Sequence, residues 1–250
     1  MLIGLMGLAG TGKSTVGRIL RDEYGFVPIA FADSLKDGVA VLFNWPRHLL
    51  EGDTDESRAF RETPDPYWSE AFGKPITPRY VLQYTGTELF RNWLADFWVR
   101  AAGKKMADDP TKNYVITDMR FVNEFEFVSA QKGFLVQIQG ANEPSWVQSV
   151  ISETVTEMDS RPKQNAQYWK KWADVQLDAR MRELGVHRSE WEHVSWRAVN
   201  SVDFVLYNVY DSPSESSRQN LSASVQHMIR VFQGPRDEKT AKNKALDLIF

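Results

Sequence analysis

The chain has 250 residues, of which 42% are hydrophobic and 25% are charged, a composition typical of one globular α/β domain with insertions or of two small domains. It contains no cysteine, which excludes disulfides and thiolate zinc sites, and its four histidines do not have metal-ligand spacing. The formal net charge of −3 gives no electrostatic reason to expect binding to a nucleic acid polymer, although a mononucleotide needs only a local basic pocket.

The chain begins with a short apolar run, residues 2–6, which predicts a strand, and a glycine-rich segment follows it directly. Residues 7–14 read Gly-Leu-Ala-Gly-Thr-Gly-Lys-Ser, the full G-x-x-x-x-G-K-S pattern, and are called the glycine loop below. Between a strand and a helix, the amides of such a loop converge on phosphate oxygens. A nucleoside triphosphate is therefore the expected ligand. The residues expected to bind it are Gly7, Gly10, Thr11, Gly12, Lys13, Ser14 and Thr15.

Two of these side chains have specific expected roles. Lys13 would reach the β- and γ-phosphates, and the Ser14 hydroxyl would bind Mg²⁺. The apolar run before the loop is too short and too rich in glycine for a signal peptide or a membrane span. We therefore expect a cytoplasmic protein, located in the host cytoplasm if the chain is viral, with no membrane partner.

The next segments alternate between helix and strand patterns. A helix is predicted at about residues 13–23, a strand at 27–30 and a helix at 34–42, with Asp33 or Ser34 as its cap. Residues 44–78 hold five of the eleven prolines, which predicts an irregular insertion. Helix-forming residues return at 79–102.

The second half continues the alternation and adds another insertion. The predicted elements are a strand at 114–117, a helix at 123–131, a strand at 134–138, a strand at 202–207 and a helix at 221–232. Residues 141–186, rich in charge and tryptophan, are expected to form a lid-like insertion.

This alternation predicts an α/β fold, a three-layer parallel sheet with helices on both faces, of the P-loop kinase type. The expected division is one kinase domain at residues 1–235, including the insertion 44–78 on the acceptor side and the lid-like insertion 141–186, followed by a tail at 236–250.

Two polar residues follow the strand predicted at 114–117. Asp118 is either a Mg²⁺ ligand or a turn aspartate, and the pattern alone favours neither. Arg120 would contact a phosphate in a bidentate manner or would form an ordinary surface ion pair. Both side chains would lie where ligands bind in open parallel sheets, beyond the carboxyl ends of the strands.

A row of polar residues repeats every four positions in the helix predicted at 79–102. Arg79, Gln83 and Thr87 would share one face, while Leu82 and Leu89 would mark a different, buried face. A polar row is usually just the solvated side of a helix. Here it is also suited to an anionic substrate that accepts and donates hydrogen bonds.

Several strings of residues, taken together, resemble the bacteriophage deoxynucleoside monophosphate kinases, within the broader phosphate-loop kinases that include phosphomevalonate kinase. These strings occur in family order and span about residues 2–230. They are Phe31-Ala32-Asp33-Ser34-Leu35-Lys36-Asp37, the Arg79-x-x-x-Gln83-x-x-Gly86-Thr87 row, Asp118-x-Arg120-Phe121-x-Asn123-Glu124, and His187-x-Ser189-Glu190.

The resemblance implies transfer of the γ-phosphoryl group of ATP, with Mg²⁺, to a deoxynucleoside 5′-monophosphate that supplies phage DNA synthesis. Lys13, Asp118 and Arg120 would be the catalytic residues, with Ser14 and Asp118 on the metal. The residues implied for the acceptor are Asp33, Lys36, Arg79, Gln83, Thr87, Arg120, Glu124, His187 and Glu190. The resemblance is also compatible with a homodimer.

Two other interpretations remain open. One is a P-loop kinase for another small phosphorylated acceptor, similar to phosphomevalonate. The other is a P-loop ATPase or switch protein that acts through a protein partner, although the chain lacks the guanine-reading Asn-Lys-x-Asp string.

Overall fold

The computed structural model describes residues 1–140, 143–160, 165–183, 187, 191–197, 200–208 and 215–234. The strands are β1 (Leu2–Met6), β2 (Val27–Ile29), β3 (Tyr114–Met119), β4 (Phe134–Gly140) and β5 (Phe204–Asn208). The helices are α1 (Lys13–Tyr24), α2 (Asp33–Phe43), α3 (Asp55–Glu62), α4 (Pro66–Phe72), α5 (Pro78–Gln83), α6 (Phe90–Trp93), α7 (Phe97–Ala107), α8 (Val122–Ala130), α9 (Ser145–Ser160), α10 (Ala166–Glu183), α11 (Glu192–Arg197) and α12 (Glu215–Gln233). A 3₁₀ turn at Arg47–Leu50 and a π-helical turn at Tyr84–Leu89 complete the described elements.

The five strands form one sheet in the order β2-β3-β1-β4-β5, and every pair of neighbours is parallel. The chain leaves β1 towards the β2 side and later crosses β1 to reach β4. This change of direction makes β1 the point at which ligands bind in open parallel sheets. The glycine loop follows β1, so the loop lies at that point.

Helices cover both faces of the sheet. The central strand β1 contacts both helix layers, because its successive side chains point to opposite faces. Ile3 and Leu5 pack in a core with residues of α1 and α12. On the other face, a side chain at Gly4 would meet Met119 and Val128, the latter on α8. The predicted three-layer parallel fold is therefore confirmed.

The chain separates into two compact units. The first consists of Met1–Ile29 and the described residues from Thr111 onward, and it contains the whole sheet. The second unit is Ala30–Pro110, and it begins earlier and ends later than the insertion predicted at 44–78. Its own core holds Val39, Trp45, Leu50, Ile76 and other apolar side chains.

The prolines of segment 44–78 predicted an irregular insertion, and this prediction is wrong. The segment is largely helical, and two of its prolines begin helices. Pro66 and Pro78 occupy the first turns of α4 and α5, where a missing backbone N–H is harmless. The residues before them cap these helices: the Asp65 carboxylate accepts the Trp68 N–H at 3.0 Å, and the Thr77 hydroxyl accepts the Tyr80 N–H at 3.1 Å.

The helix predicted at 79–102 is interrupted twice. The π-helical turn follows α5 directly, and the backbone becomes extended at Leu94 before α7 begins. The π turn displaces the residues beyond it from the four-residue row, because it has more residues per turn than an α-helix. Leu89, which the sequence placed on the buried face of this helix, is the last residue of the π turn and is 52% exposed.

Candidate active site

Two positions of the glycine loop favour glycine because each combines a positive φ with a close neighbour. Gly7 has φ 148°, and a Cβ there would lie 2.4 Å from the Ile138 carbonyl oxygen of β4. Gly12 has φ 96°, and its Cβ would lie 2.4 Å from the Asn208 amide nitrogen at the end of β5. The same amide nitrogen donates to the Thr11 carbonyl at 3.0 Å. The curvature of the loop is therefore set by backbone conformation and by the ends of two neighbouring strands.

Lys13 extends back across the loop that precedes it. Its ammonium donates to the Gly7 carbonyl at 2.8 Å and to the Leu8 carbonyl at 2.6 Å. Lys13 is also the first residue of α1, whose cap is Gly12, with no side-chain hydrogen bond and no acidic residue in the first turn. A cation and the positive end of a helix dipole thus lie at the same place, a combination that favours an anion.

Asp118 lies at an irregularity in the pairing of β3 with β1. Gly4 is opposite Ile116 and Met6 is opposite Met119, so two residues of β3, Thr117 and Asp118, lie opposite the single residue Leu5. Such bulges redirect a side chain and are frequent beside active sites. Asp118 therefore belongs to the strand and is half-buried, whereas the sequence suggested a strand that ends at this residue.

The backbone at Arg120 is held by a buried carboxylate. Glu124, which is 1% exposed, accepts the Arg120 N–H at 2.6 Å and the Phe121 N–H at 3.1 Å through the same oxygen. This is the backbone half of a capping box at the start of α8. Glu124 thus fixes the direction in which the chain leaves β3, and its implied contact with a substrate remains a prediction.

One buried histidine that the sequence did not single out is influenced by the charges of these cations. His193 of α11 is 1% exposed, and burial holds its pKa well below the usual value, with the charges of Arg197, Lys13 and Arg120 acting in the same direction. Its imidazole is therefore neutral. The nearby Trp191 and Trp196 do not distinguish this histidine from an ordinary core residue, and no sequence motif includes it.

The arginines of the lid-like segment and of α11 have different surroundings. The Arg197 side chain is buried and contacts the Glu143 carboxylate at 3.1 Å. Burial lowers the pKa of Arg197, and the Glu143 carboxylate only partly offsets this decrease. Arg182 is exposed and pairs with Asp178 on its own helix. Arg161, Arg188 and the side chain of Arg180 are outside the described residues, as is Glu190; His187 is described and half-buried.

In the second unit, the acidic and basic candidates of α2 form one network. Lys36 contacts the Glu51 carboxylate at 2.5 Å, and Arg47 contacts Glu51, Asp37 and Asp33. The second carboxylate oxygen of Asp33 accepts the Ala30 N–H at 2.9 Å, inside the turn that begins α2, so the predicted cap of α2 points back to the preceding turn. Glu51 is partly desolvated, which raises its pKa, but the hydrogen bonds and charges of Lys36 and Arg47 outweigh burial and lower it overall.

The remaining acceptor candidates lie on α5 and the π turn of the same unit. Arg79 pairs with Glu62 at 2.9 Å, and both side chains are well exposed. Gln83 and Thr87 are half-buried. Gly86, between them, permits a close approach, since a Cβ there would lie 2.7 Å from the Leu35 side chain. In this structure, the close approach at Gly86 is made by the Leu35 side chain of α2.

Within the described ranges, no three metal-binding side chains form a cluster, and no helix is long and apolar enough to cross a membrane. The oxygen donors Ser14 and Asp118 still suit Mg²⁺, because this ion is normally held by one or two protein oxygens together with substrate phosphates and water.

A curated relative matches 153 residues of the chain at 36% identity, covering 55% of this chain and 73% of the relative. It is a protein of Acanthamoeba polyphaga mimivirus that is named, provisionally, a deoxynucleotide monophosphate kinase. The chain belongs to this deoxynucleotide monophosphate kinase family. It is accordingly a member of a kinase family, and its relative is a mimivirus protein, whereas the sequence strings resemble bacteriophage enzymes.

Two further comparisons leave the family assignment as it stands. No family model matches the chain. Among solved structures, TT1252 from Thermus thermophilus aligns with 94% of this kinase family member and 98% of its own chain, at 13% identity and a TM-score of 0.41. Dephospho-CoA kinase from Campylobacter jejuni aligns with 92% of this chain and 95% of its own, at 15% identity and a TM-score of 0.37. The fold assignment rests on the parallel sheet and its strand order.

Proposed function

We propose that the protein transfers the γ-phosphoryl group of ATP to a deoxynucleoside 5′-monophosphate. The observation that carries this proposal is the glycine loop, with Lys13 across it, at the carboxyl end of the central strand β1 in a member of this kinase family. An acceptor phosphate oxygen would attack the γ-phosphorus and form the new P–O bond of a deoxynucleoside diphosphate. The bond from that phosphorus to the β,γ-bridging oxygen would break, and ADP would leave with its electron pair.

The donor would be held by the glycine loop and the first turn of α1. Loop amides from Gly7 to Thr15 would donate to phosphate oxygens, and the Lys13 ammonium would exchange carbonyl partners for the β- and γ-phosphates. Ser14 is exposed at the helix start and Asp118 is half-buried at the bulge, so these two would hold Mg²⁺, which neutralises phosphate charge when bound.

The transfer itself requires little covalent chemistry from the protein. The acceptor phosphate is already an anionic nucleophile, so the protein must align two polyanions that repel each other and stabilise the charge on the transferred group. Arg120 would supply that stabilisation, because Glu124 fixes its backbone and a guanidinium matches phosphate in a bidentate manner.

For the acceptor we propose the candidate residues of the second unit, while Arg120, Glu124, His187 and Glu190 remain the acceptor residues that the resemblance implies in the rest of the chain. In this proposal, Lys36 and Arg79 contact the monophosphate after exchanging their carboxylate partners, and Asp33, Gln83 and Thr87 hydrogen-bond the sugar or base. The exposed Arg79–Glu62 pair is a weak one, so such an exchange is inexpensive. The segment 141–186 would act as the lid that excludes water from the reaction.

The test is ADP release by the purified protein, with ATP and Mg²⁺, across a panel of deoxy- and ribonucleoside monophosphates and phosphomevalonate. Release that depends on a deoxynucleoside monophosphate supports the proposal. Release with phosphomevalonate alone would assign the other acceptor class, and ADP release that no acceptor increases would identify an ATPase. If the chain is viral, as its relative is, the diphosphates would serve viral DNA synthesis in the host cytoplasm.

A further inference from the structure

The α11 histidine is the polar side chain of the first unit whose burial is hardest to explain by the fold alone. His193 is 1% exposed, and neither Nδ1 nor Nε2 has a hydrogen-bond partner among the described residues. A neutral imidazole carries one N–H donor and one acceptor nitrogen, and native proteins satisfy nearly all such buried groups. Two orphaned nitrogens on one ring therefore indicate a partner that the described residues do not supply.

The charges around the ring indicate which kind of partner fits. Lys13 of the glycine loop, Arg120 beyond β3 and Arg197 of α11 all act on His193, and they come from three different segments of the first unit. Arg197 is compensated by Glu143, with both side chains more than nine-tenths buried. The glycine loop also lies against this helix, since Leu8 packs on the apolar cluster that contains Val194 of α11. Positive charges that act on a buried, neutral N–H group favour an anion there, because burial strengthens each of these interactions.

The packing of α11 fixes the ring in that setting. Ser195, two residues along the helix and fully buried, donates to the Asp174 carboxylate of α10 at 2.5 Å. Trp196 packs against Phe125 of α8, with ring centroids 4.6 Å apart, and α8 is the helix whose start positions Arg120. His193 is thus carried on a rigid helix that is tied to the Arg120 backbone through α8.

We propose that the His193 imidazole donates a hydrogen bond directly to an oxygen of a phosphoryl group bound beside Lys13 and Arg120. This assignment rests on the phosphate binding proposed above, and it adds a contact outside the glycine loop and outside all the strings that resemble the family. The phosphoryl group belongs either to the nucleotide donor or to the monophosphate acceptor, since both carry the same chemistry.

The first test uses the ring nitrogens themselves. In the ¹⁵N-labelled full chain, the imidazole signals of His193, identified by their absence in His193→Gln, are followed during separate additions of ADP and of a deoxynucleoside monophosphate. We expect the His193 signals to shift with one ligand, which identifies the donor or the acceptor, while those of the exposed His48 and His227 stay constant. Unchanged His193 signals at saturation by both ligands would overturn the proposal.

The second test separates a binding role from a structural one. His193→Leu removes both orphaned nitrogens at similar volume, so it should unfold at the same temperature as the parent or at a higher one, while phosphate affinity falls about 10- to 100-fold. His193→Gln keeps an N–H donor and should lose less affinity. The matched control Ser57→Ala, at a buried and hydrogen-bonded hydroxyl of α3 in the second unit, should lower thermal stability and leave affinity unchanged.

The outcomes also separate this inference from the function on which it rests. If Lys13→Ala abolishes ADP binding while His193→Leu binds ADP and monophosphate normally, the glycine-loop assignment stands and the His193 contact is wrong. If the parent protein binds neither ligand, both are wrong. A His193→Leu protein that is less stable but binds normally would assign His193 to packing.

Discussion

The glycine loop and the α2 network are both rich in charge, but they are built in different ways. The loop takes its shape from backbone conformation at Gly7 and Gly12 and from the ends of β4 and β5. The α2 network takes its shape from side chains, with Lys36 and Arg47 on the Glu51 carboxylate. A site built by the backbone is fixed before its ligand arrives, whereas ion pairs can exchange partners. Substitutions should therefore have steep effects in the loop and graded effects in the second unit.

The largest effect is expected from Lys13→Ala. Loss of the ammonium removes charge stabilisation of the transferred group, so we expect the turnover number to fall at least about 10³-fold. Thermal stability should change little, because Lys13 is only half-buried and its loop partners are carbonyl oxygens at the edge of the sheet. The matched control is Lys104→Ala, an exposed lysine of the second unit. Near-normal turnover in a folded Lys13→Ala protein would contradict the loop assignment.

The next effect is expected from Arg120→Ala, which leaves the Glu124 hydrogen bonds to the backbone in place. We expect turnover to fall about 10²-fold with little change in melting temperature, and Arg120→Lys to restore only part of it because bidentate geometry is lost. Arg100→Ala, at an exposed ion pair on α7, is the control. A variant that unfolds readily and keeps its turnover when folded would show that Arg120 serves an ion pair.

The same contrast explains what the sequence predicted well. β1 was predicted with its observed bounds, and α1 and β4 to within two residues, because the fold there repeats a local pattern of apolar strand, glycine loop and helix face. The parallel sheet followed from the alternation of elements. The bulge that redirects Asp118 depends on the register of β3 against β1, and a sequence does not contain that register.

The second unit was predicted less well for reasons that can be named. Pro66 and Pro78 were interpreted as breakers, although the preceding Asp65 and Thr77 are favourable caps and make each proline the start of a helix. The π turn left no such signal, since its residues are compatible with an ordinary helix. In the first unit, His193 could not be predicted, because the loop and strand end that place cations near it are far away in the chain.

A smaller effect, on stability, should separate two glycines of the same loop. Both Gly10 and Gly12 have positive φ, at 81° and 96°, but a Cβ at Gly10 meets nothing within 4 Å whereas one at Gly12 meets the Asn208 amide. Gly10→Ala should therefore lower the free energy of unfolding by about 1–2 kcal/mol from backbone strain alone, and Gly12→Ala by more.

The double variant Gly12→Ala/Asn208→Ala decides whether that difference is steric. If the clash with Asn208 is its cause, removing the amide should bring the cost of Gly12→Ala close to that of Gly10→Ala, as measured by urea unfolding of the single and double variants. An unchanged difference in the Asn208→Ala background would show that the loop backbone itself distinguishes the two positions.

The smallest effect concerns Asp65, whose side chain joins two segments of the second unit. The pKa of its carboxyl is lowered, first by the Trp68 backbone N–H and then by the Trp45 indole N–H, which donates to it at 2.7 Å. A lowered pKa in the folded protein means that unfolding takes up a proton at acid pH. The stabilisation is therefore complete above the usual aspartate pKa, near 4, and is lost as the pH falls through the lower folded value.

Asp65→Asn isolates this contribution, because an amide can still cap α4 with its oxygen but cannot accept both N–H groups on two charged oxygens. At neutral pH we expect the variant to be less stable than the parent by about 1 kcal/mol. Chemical unfolding between pH 7 and pH 3 should show this difference shrinking as the parent carboxylate is protonated, whereas the exposed Asp53→Asn control should follow the parent throughout. A difference that stays constant down to pH 3 would mean that the geometry of the cap stabilises this unit and that its charge does not.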